Sequence, residues 1–262
     1  MKDNYVVRQI EEDIWNIDDE NEDSAYLVKG NERAILIDTT CGELSIKETV
    51  EGLTDRPVEV LLTHAHWDHA CYASEFPTIY IHPGDYDLLL QDWEERGITY
   101  NGEIVFIHEN EEIDLGGRCL QIREFPGHTE GSIVVLDPKS KNMFCGDAIG
   151  SGSGVLMAVG KHPCEISKYK QELLRFKKDF AGSDFKMYGG HRNQENGIEG
   201  FQDFYNPLSD AVVEDMIVLC DKLICSDEAL VWRLQKESHV PQKAYYVSWG
   251  KAAMWVTKEQ CR

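Results

Sequence analysis

The stretch Thr63-His64-Ala65-His66-Trp67-Asp68-His69 constrains this chain more than any other, because it sets four potential metal ligands, His64, His66, Asp68 and His69, into six positions. Packing alone never calls for that density. Ahead of it runs Val58-Glu59-Val60-Leu61-Leu62, a short β-branched and apolar segment that predicts a buried strand ending where the cluster begins. Side chains on extended backbone repeat every second residue. His64 and His66 are therefore expected on one side, with Asp68 continuing that side and His69 swinging back after a turn. Imidazole nitrogen and carboxylate oxygen suit zinc and other divalent transition metals.

Other candidate ligands also stand where strands end. Residues 5 to 15 predict a first strand or hairpin, and Asp18 to Asp23 a solvated polar turn, since the oxygen spacing and glycine of a calcium loop are missing. Ala25 to Val28 and Ala34 to Asp38 read as a hairpin, which leaves the Asp38 carboxylate at a strand end. A helical pattern over 43 to 53 leads to the histidine strand, giving a strand, helix, strand order. Thr78 to His82 is a further strand, followed by Pro83-Gly84-Asp85 and a helix over Tyr86 to Trp93; His82 is expected to be a hydrogen-bonded structural histidine. Cys119 to Phe125 alternates as a strand and ends at Pro126-Gly127-His128, where proline stops the ladder and His128 is presented in a loop. Ile133 to Leu136 pairs with Asn142 to Cys145, and Asp147 follows Gly146 at that strand's end. Gly150 to Gly154 lacks the lysine and helix of a P-loop and is expected to be a flexible loop lining a cleft. A helix over Glu165 to Lys178 has Ile166, Tyr169, Leu173, Leu174 and Phe176 as its apolar face. The strand from Lys186 carries His191 at its end, and a helix over Leu208 to Cys225 and a hairpin around Gly250 close the chain.

With 262 residues and no linker, the chain is expected to be one domain, with the helix and hairpin after about residue 200 packed on it. Forty-seven acidic against 26 basic residues, a formal charge of -21, repel nucleic acid and anionic membranes. No apolar run approaches the ~20 residues that span a bilayer, and the N-terminus lacks the apolar core of a secretory signal, so a cytoplasmic location is expected. Eight cysteines without a C-x-x-C pair read as reduced thiols. A small-molecule partner fits the charge, and a homo-oligomer is compatible with the sequence.

Taken together, His64-Ala65-His66-Trp67-Asp68-His69, Pro126-Gly127-His128-Thr129-Glu130-Gly131-Ser132, Gly146-Asp147 and Gly189-Gly190-His191 resemble the metallo-β-lactamase superfamily. Ile35-Leu36-Ile37-Asp38-Thr39 resembles that family's first motif, and all five motifs stand in the right order. The resemblance implies an α/β fold, a four-layer αβ/βα sandwich of two mixed sheets flanked by helices. It also implies two divalent ions, zinc first with iron or manganese compatible. His64, His66 and His128 would hold one ion, Asp68, His69 and His191 the other, and Asp147 would bridge them. Asp38 would orient a ligand imidazole or the loop.

The chemistry so implied is hydrolysis of a small carbonyl compound, an ester, thioester, lactone or amide, by a hydroxide shared between two ions, with Asp68 moving a proton. Mononuclear iron persulfide dioxygenases and phosphodiesterases share the fold, and a noncatalytic metal-binding module is the remaining alternative. Lactonases carry a tyrosine shortly after the bridging aspartate, which Ala148-Ile149-Gly150-Ser151 lacks. Trp67 and Tyr72 are candidate walls of the cleft, together with the glycine-rich loop and the segment after His162. Cys71 and Cys145 read as packing residues.

Overall fold

The computed structural model describes residues 5–149, 154–158, 163–180, 182–192, 207–234 and 243–261. A seven-stranded sheet holds, in spatial and chain order, β1 (Val6–Glu11), β2 (Ile14–Asp18), β3 (Ser24–Lys29), β4 (Ala34–Ile37), β5 (Val58–Leu61), β6 (Thr78–Ile81) and β7 (Glu103–Phe106). Pairing is antiparallel from β1 to β4 and parallel from β4 to β7. Parallel neighbours need crossovers, and helices α1 (Lys47–Leu53) and α3 (Tyr86–Arg96) lie in them, with the short turn α2 (Trp67–Ala70) between.

β8 (Glu112–Asp114), β9 (Cys119–Glu124), β10 (Ile133–Asp137) and β11 (Asn142–Gly146) start the second sheet; after the two-residue β12 (Val155–Leu156), β13 (Lys186–Gly189) completes it in the order β13-β11-β10-β9-β8. β13 pairs parallel with β11 and the rest are antiparallel, so this sheet is mixed as well. Helices α4 (Ile166–Phe180) and α5 (Asp210–Ile224) cover its outer face.

Strand alternation sorts side chains into layers. On β4, Leu36 joins Val50, Val60, Leu89 and Trp93 under α1 and α3, while Ile35 and Ile37 face Ile122, Ile133 and Phe144 between the sheets. On β10, Val134 turns instead to Tyr169, Leu173 and Met216 of α4 and α5. The result is the expected α/β sandwich of two mixed sheets flanked by helices. Leu174 departs from the expected helix face: it is 45% exposed, one helical step round from buried Leu173.

The closing hairpin is larger than expected. β14 (Arg233–Leu234), β15 (Tyr245–Trp249) and β16 (Ala252–Val256) form a third sheet with β12, in the order β12-β16-β15-β14. Val247, Met254 and Val256 share one apolar cluster with α4, α5 and the second sheet. Among the described residues no helix is long and apolar enough to cross a membrane. Positions 150–153 of the expected glycine-rich loop, and His162, lie outside the described residues.

Candidate metal centre

Both sheets deliver their candidate ligands to one edge. Backbone leaves the sheet after Leu61, so His64 and His66 stand in a loop rather than on extended strand. Asp68 does not continue the alternation as expected, because His66 is the extended residue before the helical turn α2, which carries both Asp68 and His69. His128 follows β9, Asp147 follows β11 and His191 follows β13.

His64, His66 and His128 form one group of convergent donors and Asp68, His69 and His191 another, donor atoms within each lying within 4.8 Å of one another. His66 Nδ1 is 2.8 Å from His128 Nε2. In the second group, Asp68 Oδ2 lies 3.8 Å from His69 Nε2 and 3.6 Å from His191 Nε2. Asp147 stands between the groups. Its Oδ1 is 3.5 Å from His69 Nε2, and its Oδ2 is 3.3 Å from His191 Nε2 and 3.7 Å from His128 Nε2. All seven candidate residues thus meet at one place. Gly190 makes room for this, since a Cβ there would overlap Asp147 Oδ1 and His69 Cε1. Gly146, at φ +48°, is likewise pressed against Thr63.

Three of the imidazoles, those of His128, His69 and His191, are aimed by a group behind them. His128 Nδ1 lies 2.8 Å from the carbonyl of Leu156, an acceptor only, so Nδ1 carries the proton and Nε2 faces the centre as a lone pair. Asp38 accepts from His69 Nδ1 at 3.0 Å and from the Thr63 amide and hydroxyl at 2.8 and 2.7 Å, which is the orienting role expected of it. Asp38 sits at φ +59°, a conformation aspartate tolerates, and this turns its carboxylate back towards the loop.

Two acids were not singled out by sequence. Asp23 accepts from His191 Nδ1 at 3.0 Å, so the stretch read as a solvated turn contains a buried carboxylate instead. Asp85 is buried between the two ligand loops, taking the Ala65 amide at 2.9 Å, the Thr129 hydroxyl at 2.7 Å and the Gly131 amide at 2.8 Å. Asp85→Ala strands the buried Ala65 and Gly131 amides, while the Thr129 hydroxyl keeps Ser132 Oγ at 2.7 Å, and is expected to cost about 3 kcal/mol. Urea unfolding of the metal-free protein measures it, and an unchanged midpoint would remove Asp85 from the scaffold of the site.

The two groups differ electrostatically. Burial drives His64 well below the ordinary imidazole range and His66 to about 3, neighbouring imidazoles adding to the effect. Burial also lowers His128. All three are neutral lone-pair donors, the form a metal takes. In the other group burial works to lower His69 too, but Asp68, Asp147 and Asp38 outweigh it and raise it to about 9. His191 is raised well above its ordinary range against burial, chiefly by Asp147. Asp147 and Asp68 are lowered against burial by His191 and His69.

These residues fit divalent ions. His64 Nε2 and His69 Nε2 are buried at the centre with no hydrogen-bond partner, a costly arrangement unless something binds them. His82, His108 and Glu124 also cluster, but His82 Nδ1 accepts from the Gly84 amide at 3.1 Å, so its Nε2 keeps the proton, 3.1 Å from Glu124. That is the structural histidine expected. The Arg96 guanidinium covers the Trp67 ring at 3.6 Å from its centroid, and the Tyr72 hydroxyl donates to the Gly42 carbonyl. Cys145 is buried, Cys71 half-buried, and both are free thiols.

Such a sandwich with a His/Asp cluster at its edge defines a class, and residues 19–191 match the family described as the metallo-beta-lactamase superfamily. The chain belongs to that superfamily. Its sequence is similar to the acyl-coenzyme A thioesterase MBLAC2 of Homo sapiens, 26% identical over 168 residues, 51% of this chain and 60% of the relative. The match thus spans about three fifths of that relative's length. The hydroxyacylglutathione hydrolase of Francisella philomiragia is 20% identical over 186 residues, 71% of this chain and 69% of the relative. Among solved structures, a metallo-beta-lactamase from Pontibacter korlensis shares the fold with a TM-score of 0.61 at 16% identity, covering 83% of this chain and 99% of its own.

Proposed function

We propose that the protein is a metal-dependent hydrolase of small thioesters with a two-ion centre, zinc in the first instance. The observation that carries this reading is the convergence of seven side chains in two groups joined by Asp147. His64, His66 and His128 would hold one ion, Asp68, His69 and His191 the second, with Asp147 between. Divalent ions supply acidified water at neutral pH and polarise a carbonyl oxygen.

The chain's own residues set what can be cleaved. Asp68, its side chain 38% exposed, is the carboxylate of the centre open to a substrate, and it is held ionised. It can therefore take the proton of the attacking water. Departing amines need a proton from an acid, whereas a thiol of pKa about 8.5 leaves as thiolate. The thioester thus makes the least demand on Asp68 as a proton donor, and the two relatives reported above bear names of enzymes that act on thioesters.

Net charge bears on the carrier thiol. At -21, the protein repels a strongly anionic thioester more than a singly charged one. An acyl glutathione is expected to be turned over faster than an acyl-coenzyme A at low salt, with the gap narrowing as salt is added. Parallel assays on thioester, ester, lactone, β-lactam and phosphodiester substrates, with oxygen uptake on a persulfide, test the assignment. Faster cleavage of the phosphodiester than of every carbonyl substrate would overturn it.

A further inference from the structure

We propose that Asp23 is a positioning residue for His191, and that the turn from Asp18 to Asp23 is the element that fixes the second ligand group. This rests on the reading above, in which His191 is a ligand. Asp23 Oδ1 lies 3.0 Å from His191 Nδ1, and Asp23 Oδ2 accepts from the Cys41 thiol at 3.2 Å, so both oxygens are engaged and the carboxylate cannot rotate freely.

The turn grips the ligand segment by its backbone as well. Asp23 and His191 form an antiparallel bridge, the Ser24 amide donates to Gly190 O at 2.8 Å, and the Arg192 amide donates to Glu22 O at 2.8 Å. Arg192 Nη2 donates to the Asp19 carbonyl at 3.4 Å, and its Nε lies 3.4 Å from Asp18 Oδ2. Asp19 ties the turn together, accepting from the amides of Asn21, Asp23 and Cys41 at 2.8, 3.0 and 3.2 Å. The acidic run is therefore a brace between the loop after β4 and the loop after β13.

The chemical consequence lies in the ring. Donating Nδ1–H to Asp23 fixes the orientation of His191 and presents Nε2 towards Asp147 and Asp68. His69 is backed in the same way by Asp38. Both imidazoles of the second group thus have a carboxylate behind them, whereas His128 in the first group has a carbonyl. Loss of Asp23 should accordingly act on one ion and spare the other.

Calorimetric titration of the metal-free full chain with zinc alone tests this, alongside the His191 Nδ1–H resonance of ¹⁵N-labelled, zinc-loaded protein. Asp23→Ala is expected to weaken the second ion about 10- to 100-fold and leave the first unchanged. The His191 Nδ1–H signal should disappear with it. Asp23→Asn keeps the shape and an acceptor oxygen, so it should retain the signal and weaken the second ion less; it also serves if the alanine variant does not fold. Equal weakening of both ions, or wild-type binding with an unaltered signal in Asp23→Ala, would overturn the proposal. If wild-type protein takes up a single ion, the two-ion reading fails, and the response of the His191 signal to Asp23→Ala still decides the role of Asp23.

Discussion

Asp147→Ala is expected to lower thioester turnover roughly a thousandfold and to cut bound metal below two per chain. Asp147 reaches both ligand groups, by one oxygen to His69 and by the other to His191 and His128. Its removal takes a negative charge from between the two groups proposed to hold cations. It also opens a space that Gly190, lacking a Cβ, leaves no side chain to fill. Metal ions at such sites contribute several kcal/mol of transition-state stabilisation, and each 1.36 kcal/mol is tenfold in rate, which sets the size of the effect. Elemental analysis and thiol release on the same preparation separate lost metal from lost chemistry. Full turnover in the variant would place the active centre elsewhere.

Zinc uptake by the second group is expected to expel protons and to tighten as pH rises towards 9. Without metal, Asp68, Asp147 and Asp38 hold His69 protonated up to about 9, and His191 is raised as well. An incoming ion must displace those protons, so affinity should climb roughly tenfold per pH unit for each one released. The first group, already neutral, should bind with little dependence on pH above 6.5. Metal-free stability follows the same signs. A raised histidine stabilises fully below its unfolded value of 6.5 and loses that contribution as pH rises through about 9, a change of roughly 3 kcal/mol for His69. His66, held at about 3, acts oppositely, because unfolding frees it to take a proton and stability falls as pH drops from 6.5 towards 3. For these groups the metal-free protein is thus most stable near pH 6.5. Calorimetry in buffers of different ionisation enthalpy counts the protons, and second-ion affinity that is flat between pH 6 and about 9 would contradict the account.

The seven convergent residues were legible because their types are hard to substitute and each follows an apolar strand that announces where it ends. Asp38 was legible for the same reason. Asp23 and Asp85 were not, since a run of acids looks the same whether water or distant backbone amides satisfy it. A signal for Asp23 was nevertheless present. In the β3–β4 hairpin Tyr26 pairs with Ile37, so the start of β3 and the end of β4 fall at one sheet edge, and the same register carried outward sets Asp23 opposite Thr40, just beyond Asp38. Asp85 offers no such cue, because its partners lie on two loops that meet only in the folded chain. Alternation misplaced Asp68, as a period of two cannot anticipate the helical turn that begins after His66. The third sheet was half visible: its hairpin is two short runs rich in apolar residues turning at Gly250, but two-residue β12 and β14 carry no period at all. β12 nonetheless matters to the centre, since its Leu156 carbonyl aims His128.

Adding zinc stepwise to metal-stripped protein while following thiol release from an acyl glutathione probes the two-ion centre and its thioester chemistry together. Release is expected to be negligible at the start and to rise until it saturates at two equivalents, more steeply at higher pH over the second. Turnover that survives stripping, or that is complete at one equivalent, would contradict the two-ion reading.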